Sequence, residues 1–291
     1  MKNWKKILGL GLSATLSLSL LASCGGGTTT ESTAPSAPVE SPAVESQGVA
    51  PAELKTVEAG KLIMSTNAAF PPYEMITDDG SFEGIDVEVA GAIAEELGLE
   101  LVIDDMGFDA ALMAAQNGQS DIVMAGVTVN EERLAVMDFS DSYATGVQVV
   151  IVQADSPIAT VDDLANVEMI GTQKATTGYI YCSDTPENGG YGEDHVTAYD
   201  TGATAVQALI NGQVDAVVID NKPAKAFVAA NLDADGEPLL KILDTEFAVE
   251  DYAIGMAKGN TALLEAVNAA MDKLKTDGTF QAIVDKYIVA E

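Results

Sequence analysis

The side chains best suited to chemistry in this 291-residue chain are one arginine, Arg133, one histidine, His195, and two cysteines, Cys24 and Cys182. Arg133 ends the segment AGVTVNEER (125–133), where Asn130 is placed to cap a helix that carries the arginine one turn in. Its planar fork of donors suits a carboxylate, through two parallel hydrogen bonds. A lone arginine beside Glu131 and Glu132 also fits a surface ion pair, which contributes little. His195 closes the polar stretch SDTPENGGYGEDH (183–195) and reads as a surface residue rather than a general acid or base. Cys182, with Lys174 as its nearest cation in sequence, reads as a small buried side chain rather than a reactive thiol. Asn231, Asp233, Asp235 and Gly236 imitate the opening of a calcium loop, but its twelfth position is Ile242 and not a glutamate, so a solvated turn is expected and no metal site. The sequence has no nucleophile elbow, Walker loop or multi-histidine pattern, so neither a catalytic residue nor a cofactor is expected.

The elements that must position these residues alternate short apolar strands with helices from about Glu58 onward, the signature of an α/β layered fold. KLIMST (61–66), LELVID (99–104), DIVMAG (121–126), VEMIGT (167–172) and DAVVID (215–220) read as strands. Ile85, Val89, Ile93 and Leu97 recur every four residues with acids between them, predicting an amphipathic helix that starts at Gly84 and stops at Gly98. Further helices are predicted over 109–117, from Thr176, over 201–211 and over 263–288, the last broken near Asp277 and Gly278. NGQSDIVMAG (117–126) matches NGQVDAVVID (211–220) at an offset of 94 residues. Asn-Gly suits a helix end followed by a tight turn, so the match is either a common turn or a relation between two lobes. In the second reading Gly126 and Asp220 occupy equivalent places at the carboxyl ends of strands, where open α/β sheets bind ligands. Asp121 and Asp215 read as structural turn residues, and Asp220 could be one too.

The chain carries 45 acidic against 14 basic side chains, a formal charge of -31. So acidic a protein is repelled by nucleic acid, which excludes a phosphate-backbone partner. Its hydrophobic share of 47% is ordinary for a globular protein, so the charge does not spell disorder throughout. The N-terminus differs. Lys2, Lys5 and Lys6 precede an apolar and small-residue run from Ile7 to Leu21, shorter than the roughly 20 residues of a spanning helix, which marks a signal peptide over 1–23. It ends in LASC (21–24), which resembles a bacterial lipobox and implies that Cys24 is lipidated; an ordinary signal peptide cut nearby would leave Cys24 a spare thiol. Residues 24–57, rich in Ser, Thr, Pro and Gly, read as a flexible tether. Loss of the three leader lysines moves the charge to -34 and leaves Cys182 without a disulfide partner.

Seven motifs then occur in an order that resembles the polar amino-acid binding proteins (family 3) of bacterial ABC importers. They are FPPYE (70–74), GIDVEVAGAIAEELG (84–98), DIVMAGVTVNEER with DFSDSY (121–143), GTQKATTG (171–178), VDAVVID (214–220), YAIGMAKGN (252–260) and DGT (277–279). The resemblance runs from about residue 58 to the end. It implies a two-lobed α/β fold of the periplasmic binding protein type (type II), with lobe one over 58–145 plus 250–291, lobe two over 146–249, and two hinge crossings near Gly146 and Val249. It implies further a monomer, lipid-anchored on the extracytoplasmic face of the membrane, that delivers a captured amino acid to an ABC permease and performs no reaction. Carried over by motif, Arg133 and the amides of Thr128 and Thr177 would hold the ligand carboxylate. Asp220, the carbonyl of Gly126 and the hydroxyl of Thr128 would hold its ammonium. A zwitterion withdrawn from water needs such replacements at both charges. Phe70 and Phe108 would wall the ligand side chain, although each could simply be core. Asn67, where members that bind cationic amino acids often carry Asp, and Gln173 lie near the side-chain subsite and imply an uncharged polar ligand. Ala175 departs from the glycine usual before the Thr pair. A dehydratase-like enzyme or a ligand sensor on the same fold is the alternative.

Overall fold

The computed structural model describes residues 54–244 and 246–288. The expected leader over 1–23, Cys24 and nearly all of the expected tether lie outside the described residues. At the tether's end, Leu54 is already buried in the hydrophobic core, so the folded part takes in residues before the expected boundary at 58.

The chain first runs through β1 (Lys61–Thr66), β2 (Ala69–Phe70), β3 (Glu74–Ile76), β4 (Phe82–Glu83), α1 (Ile85–Leu97), β5 (Glu100–Asp105), α2 (Phe108–Gln116), β6 (Ile122–Val123), α3 (Glu131–Val136) and β7 (Met137–Phe139). It continues through β8 (Ala144–Gln153), β9 (Ile170–Gln173), α4 (Thr177–Ser183), β10 (Val196–Tyr199), α5 (Gly202–Ile210), β11 (Ala216–Asp220), α6 (Asn221–Ala230), β12 (Leu240–Ile242) and β13 (Ala248–Tyr252). It finishes with β14 (Gly255–Ala257), α7 (Thr261–Asp277) and α8 (Thr279–Tyr287). The four-residue periodicity of α1 does what it predicts: Ile85, Val89, Ile93 and Leu97 are all buried, each contributing roughly 1.5–3 kcal/mol. Their partners include Leu62 and Met64 of β1 and Leu263, Val267 and Met271 of α7. The break between α7 and α8 falls at Gly278.

Two sheets carry the same plan. The first is ordered β5-β1-β6-β14-β7 and the second β10-β9-β11-β8-β12. In each, three parallel strands are followed by an antiparallel neighbour, β14 in one and β8 in the other. The repeated decapeptide fits this symmetry. Asn117 and Asn211 cap the C-terminal ends of α2 and α5. Asp121 accepts the amides of Val57 and Ile63, and Asp215 accepts those of Glu168 and Met169. Each aspartate thus ties the strand it precedes to the chain beside it, the turn role expected for both. DIVMAG is less regular than expected: only Ile122 and Val123 pair as strand, and the chain turns away at Gly126, whose φ is 55°.

The chain crosses from the first sheet to the second through β8 and returns through β13. These two strands pair with each other, from Ala248 opposite Gln148 to Tyr252 opposite Ala144. Tyr252, at the end of the return strand, lies in the core of the first lobe. Two crossings linking two similar α/β lobes are the expected two-lobed architecture.

Candidate functional site

Asn67, Phe70, Phe108, Gly126, Thr128, Arg133, Gln173, Thr177 and Asp220 all line one cleft between the two sheets, together with Glu74, Ala125 and Thr176. The free space among them is about 20 Å³, on the scale of a single water molecule, so side chains of the two lobes meet across a closed cleft.

Arg133 is positioned as the sequence predicts: the Asn130 side chain accepts its backbone amide at 2.9 Å and starts α3 there. The guanidinium is 8% exposed and stands over the Phe108 ring, 5.5 Å from its centroid. One nitrogen donates to the Thr128 carbonyl at 2.7 Å and another to the Ala175 carbonyl, across the cleft, at 3.0 Å. Burial pulls its pKa down and the charge of Glu250 opposes this. Its role as a surface ion pair is excluded by this burial. Ala175 reaches the arginine from the left-handed region, φ 61°, the conformation that the expected glycine would adopt without strain.

Asp220 ends β11 with one carboxylate oxygen accepting from the Tyr252 hydroxyl and the other from Gln148 Nε2 at 2.8 Å. Burial, reinforced by the charge of Glu250, pushes its pKa up to about 7 against the donors Tyr252 and Gln148. Thr128 Oγ1 donates to Glu250 at 3.0 Å and Thr177 Oγ1 at 2.9 Å, with Gln148 Nε2 at 3.1 Å on the same oxygen. A hydroxyl whose proton is committed to Glu250 keeps its lone pairs for an incoming cation. Gly126 donates its amide to Asp86 at 3.0 Å. A Cβ there would lie 2.7 Å from the Phe70 ring, which stacks on Tyr73 at 5.8 Å between centroids. Only glycine permits both this backbone and this approach. On the far side, Gln173 Nε2 donates to Asn67 Oδ1 at 2.9 Å, joining the two amides from opposite lobes, while Asn67 donates to the Met106 carbonyl.

Sequence reasoning missed four polar groups. Glu74 and Asp86 are both 0% exposed. Glu74 was visible in FPPYE and Asp86 among the acids of α1, yet neither position announces that it faces inward. Glu250 and Gln148 belong to the paired crossing strands. The alternation of AVEDY was the available signal, since Glu250 and Tyr252 are buried while Asp251 between them and Val249 before them are exposed. His195 is exposed, 3.2 Å from the Glu168 carbonyl and apart from the cleft. Cys182 is buried and its thiol is pushed up to about 12, as suits an inert side chain. Asp233 accepts the amides of Asp235 and Glu237, closing the expected turn.

The model of the bacterial extracellular solute-binding proteins, family 3, matches residues 62–290 of this chain. The probable histidine-binding protein of Neisseria gonorrhoeae is 30% identical over 78% of this chain and 83% of its own length. The L-cystine-binding protein TcyJ of Escherichia coli (strain K12) is 30% identical over 81% of this chain and 86% of its own. Among solved structures, an ancestral arginine-binding protein bound to arginine superposes with a TM-score of 0.71 at 36% identity, covering 79% of this chain and 98% of the other.

Proposed function

The chain belongs to the bacterial extracellular solute-binding proteins of family 3, and from that premise we propose that it is the substrate-binding component of an ABC-type importer, capturing one free amino acid between its lobes and handing it to a membrane permease. The observation that carries this reading is the opposition of Arg133 and Asp220 within one buried cleft. A zwitterion replaces the missing counter-charge of each, which neither water nor an uncharged solute does. Arg133 and the amides of Thr128 and Thr177 take the carboxylate. Asp220, the Gly126 carbonyl and the Thr128 hydroxyl take the ammonium. Phe70 and Phe108 enclose the side chain, whose tip meets the amides of Asn67 and Gln173. Two neutral amides favour an uncharged polar side chain, by matching donors to acceptors, over a cation that would lack a counter-charge there.

With the cleft closed to about 20 Å³, capture requires the lobes to part about the paired crossings and close again on the ligand. Cys24 anchors the chain to the extracytoplasmic face of the membrane, and the acidic tether from 24 to about 53 spaces the lobes from it. Loss of detergent-phase partitioning in Cys24→Ala tests the anchor; unchanged partitioning refutes it. The ligand is tested by a thermal-shift panel of the common amino acids and cystine on the exported domain. A binder at 100 times its dissociation constant adds about 2.7 kcal/mol. A shift with arginine or lysine but not with glutamine, asparagine or cystine overturns the uncharged assignment, and no shift with any of them overturns the amino-acid reading.

A further inference from the structure

We propose that Glu74 and Asp86 share one proton beneath the cleft, and that this carboxyl pair holds Gly126 in the conformation that presents its carbonyl to a ligand ammonium. The second half rests on the amino-acid reading above; the first does not. Both side chains are fully buried. The loop carrying Glu74 is docked on the start of α1 by two backbone bonds, Ile85 to the Pro72 carbonyl and Asp86 to the Tyr73 carbonyl, which sets the two buried carboxyls side by side. Asp86 Oδ2 already accepts the Gly126 amide at 3.0 Å and the Tyr143 hydroxyl at 2.8 Å. Asp86 Oδ1 and both Glu74 oxygens are buried without any hydrogen-bond partner, three orphaned carboxyl oxygens that a proton on one of them would satisfy.

Two bare carboxylates in contact inside a protein would each lack hydration and repel one another. A single proton on Glu74, donated to Asp86 Oδ1, removes one charge and satisfies the open acceptor. The groups that face the pair favour keeping that proton. Tyr73 and Tyr143 flank it, Asp105 at the end of β5 and Asp220 at the end of β11 face it, and Tyr252 of β13 packs behind Tyr73, all of them acids or phenols. Burial and the neighbouring Asp86 charge accordingly raise Glu74 well above its ordinary value, and burial lifts Asp86 to about 6. The ionised member of the pair is then Asp86, the one that grips Gly126, while Glu74 turns toward the cleft as a neutral acid.

The test uses Glu74→Gln, which keeps a donor for Asp86 but has no proton to lose, beside Glu74→Ala, which has none. In the ligand-free exported protein at about pH 8, above the Asp220 transition, the infrared difference between parent and Glu74→Gln should contain the carbonyl stretch of a protonated carboxylic acid. Its absence overturns the shared proton, whether or not the alanine variant folds. Amide hydrogen exchange at Gly126 should stay slow in Glu74→Gln and accelerate about tenfold or more in Glu74→Ala, the order of effect of an unsatisfied buried charge. Equal acceleration in both variants overturns the positioning role. If the infrared band and the exchange pattern hold while no amino acid shifts the melting of the parent, the proton pair stands and the ligand reading falls. If amino acids bind parent and Glu74→Gln alike but the band is missing, the reverse holds.

Discussion

Replacement of Arg133 by alanine tests the cleft most directly, and its cost can be built from the geometry. Two guanidinium donors are engaged by the carbonyls of Thr128 and Ala175, which leaves the rest of the fork for a ligand carboxylate. A hydrogen bond to a charged group contributes about 1.5–3 kcal/mol, so two to a carboxylate amount to about 3–6 kcal/mol. Part of this is recovered, because the alanine variant has no guanidinium to strip of water when the cleft closes. The net loss is about 2–5 kcal/mol, or roughly 30-fold to several-thousand-fold in affinity. Lysine should restore less than half of the loss, since one ammonium cannot span both carbonyls and a carboxylate. Asn130 remains in both variants and keeps α3 capped, so the comparison reads the site rather than the helix. Titration calorimetry with the amino acid giving the largest thermal shift measures all three proteins. Near-parent affinity for Arg133→Ala would refute the carboxylate assignment, and full rescue by lysine would refute the argument from the fork.

Asp220→Asn should weaken amino-acid binding strongly and flatten its pH dependence. In the parent the folded pKa of about 7 lies above the ordinary aspartate value, so the native state binds more protons between about pH 4 and 7; its stability falls as pH rises through that window. Ligand affinity, which needs the carboxylate, should instead rise over the upper part of the same window and level off above about pH 8. Calorimetry across this range checks both trends, and a parent affinity independent of pH contradicts them. Ala175→Gly should raise the unfolding free energy by about 0.5–1 kcal/mol, because a left-handed alanine costs roughly 1–2 kcal/mol and glycine returns part of that as unfolded-state entropy; denaturant midpoints decide, and a destabilised glycine variant rejects the strain. Gly126→Ala should lose about 1–3 kcal/mol of stability and most of the ligand-induced thermal shift, since its methyl group meets the Phe70 ring at 2.7 Å. A normal shift in that variant argues against a tight Phe70 wall.

Much of this architecture was legible in local signals. The period of α1, the Asn-Gly ends of α2 and α5 and the cap at Asn130 are written within a few residues of where they act. Arg133 stood out because the chain has no other arginine. The buried acids were not legible for the opposite reason. Among 45 acidic side chains, nothing in the sequence distinguishes Glu74 or Asp86 from those that coat the surface, and only the short alternation of AVEDY marks Glu250. What buries them is non-local: the docking of the FPPYE loop on α1, and the pairing of β8 with β13 across some hundred residues of chain. Leu54 escaped notice likewise, one apolar residue at the end of a polar stretch, held by a core assembled from elsewhere.

The Tyr252 hydroxyl joins the return strand to Asp220, and under the proposed function that single bond makes the paired crossings a party to the recognition event. A ligand ammonium arriving at Asp220, as proposed, would change the charge that Tyr252 leans on, at the point where both crossings are laced together. The signal that the cleft is filled therefore does not have to travel from the rim inward. In that proposal it originates at the paired crossings themselves, so occupancy and lobe angle would form one coupled equilibrium rather than two events in series.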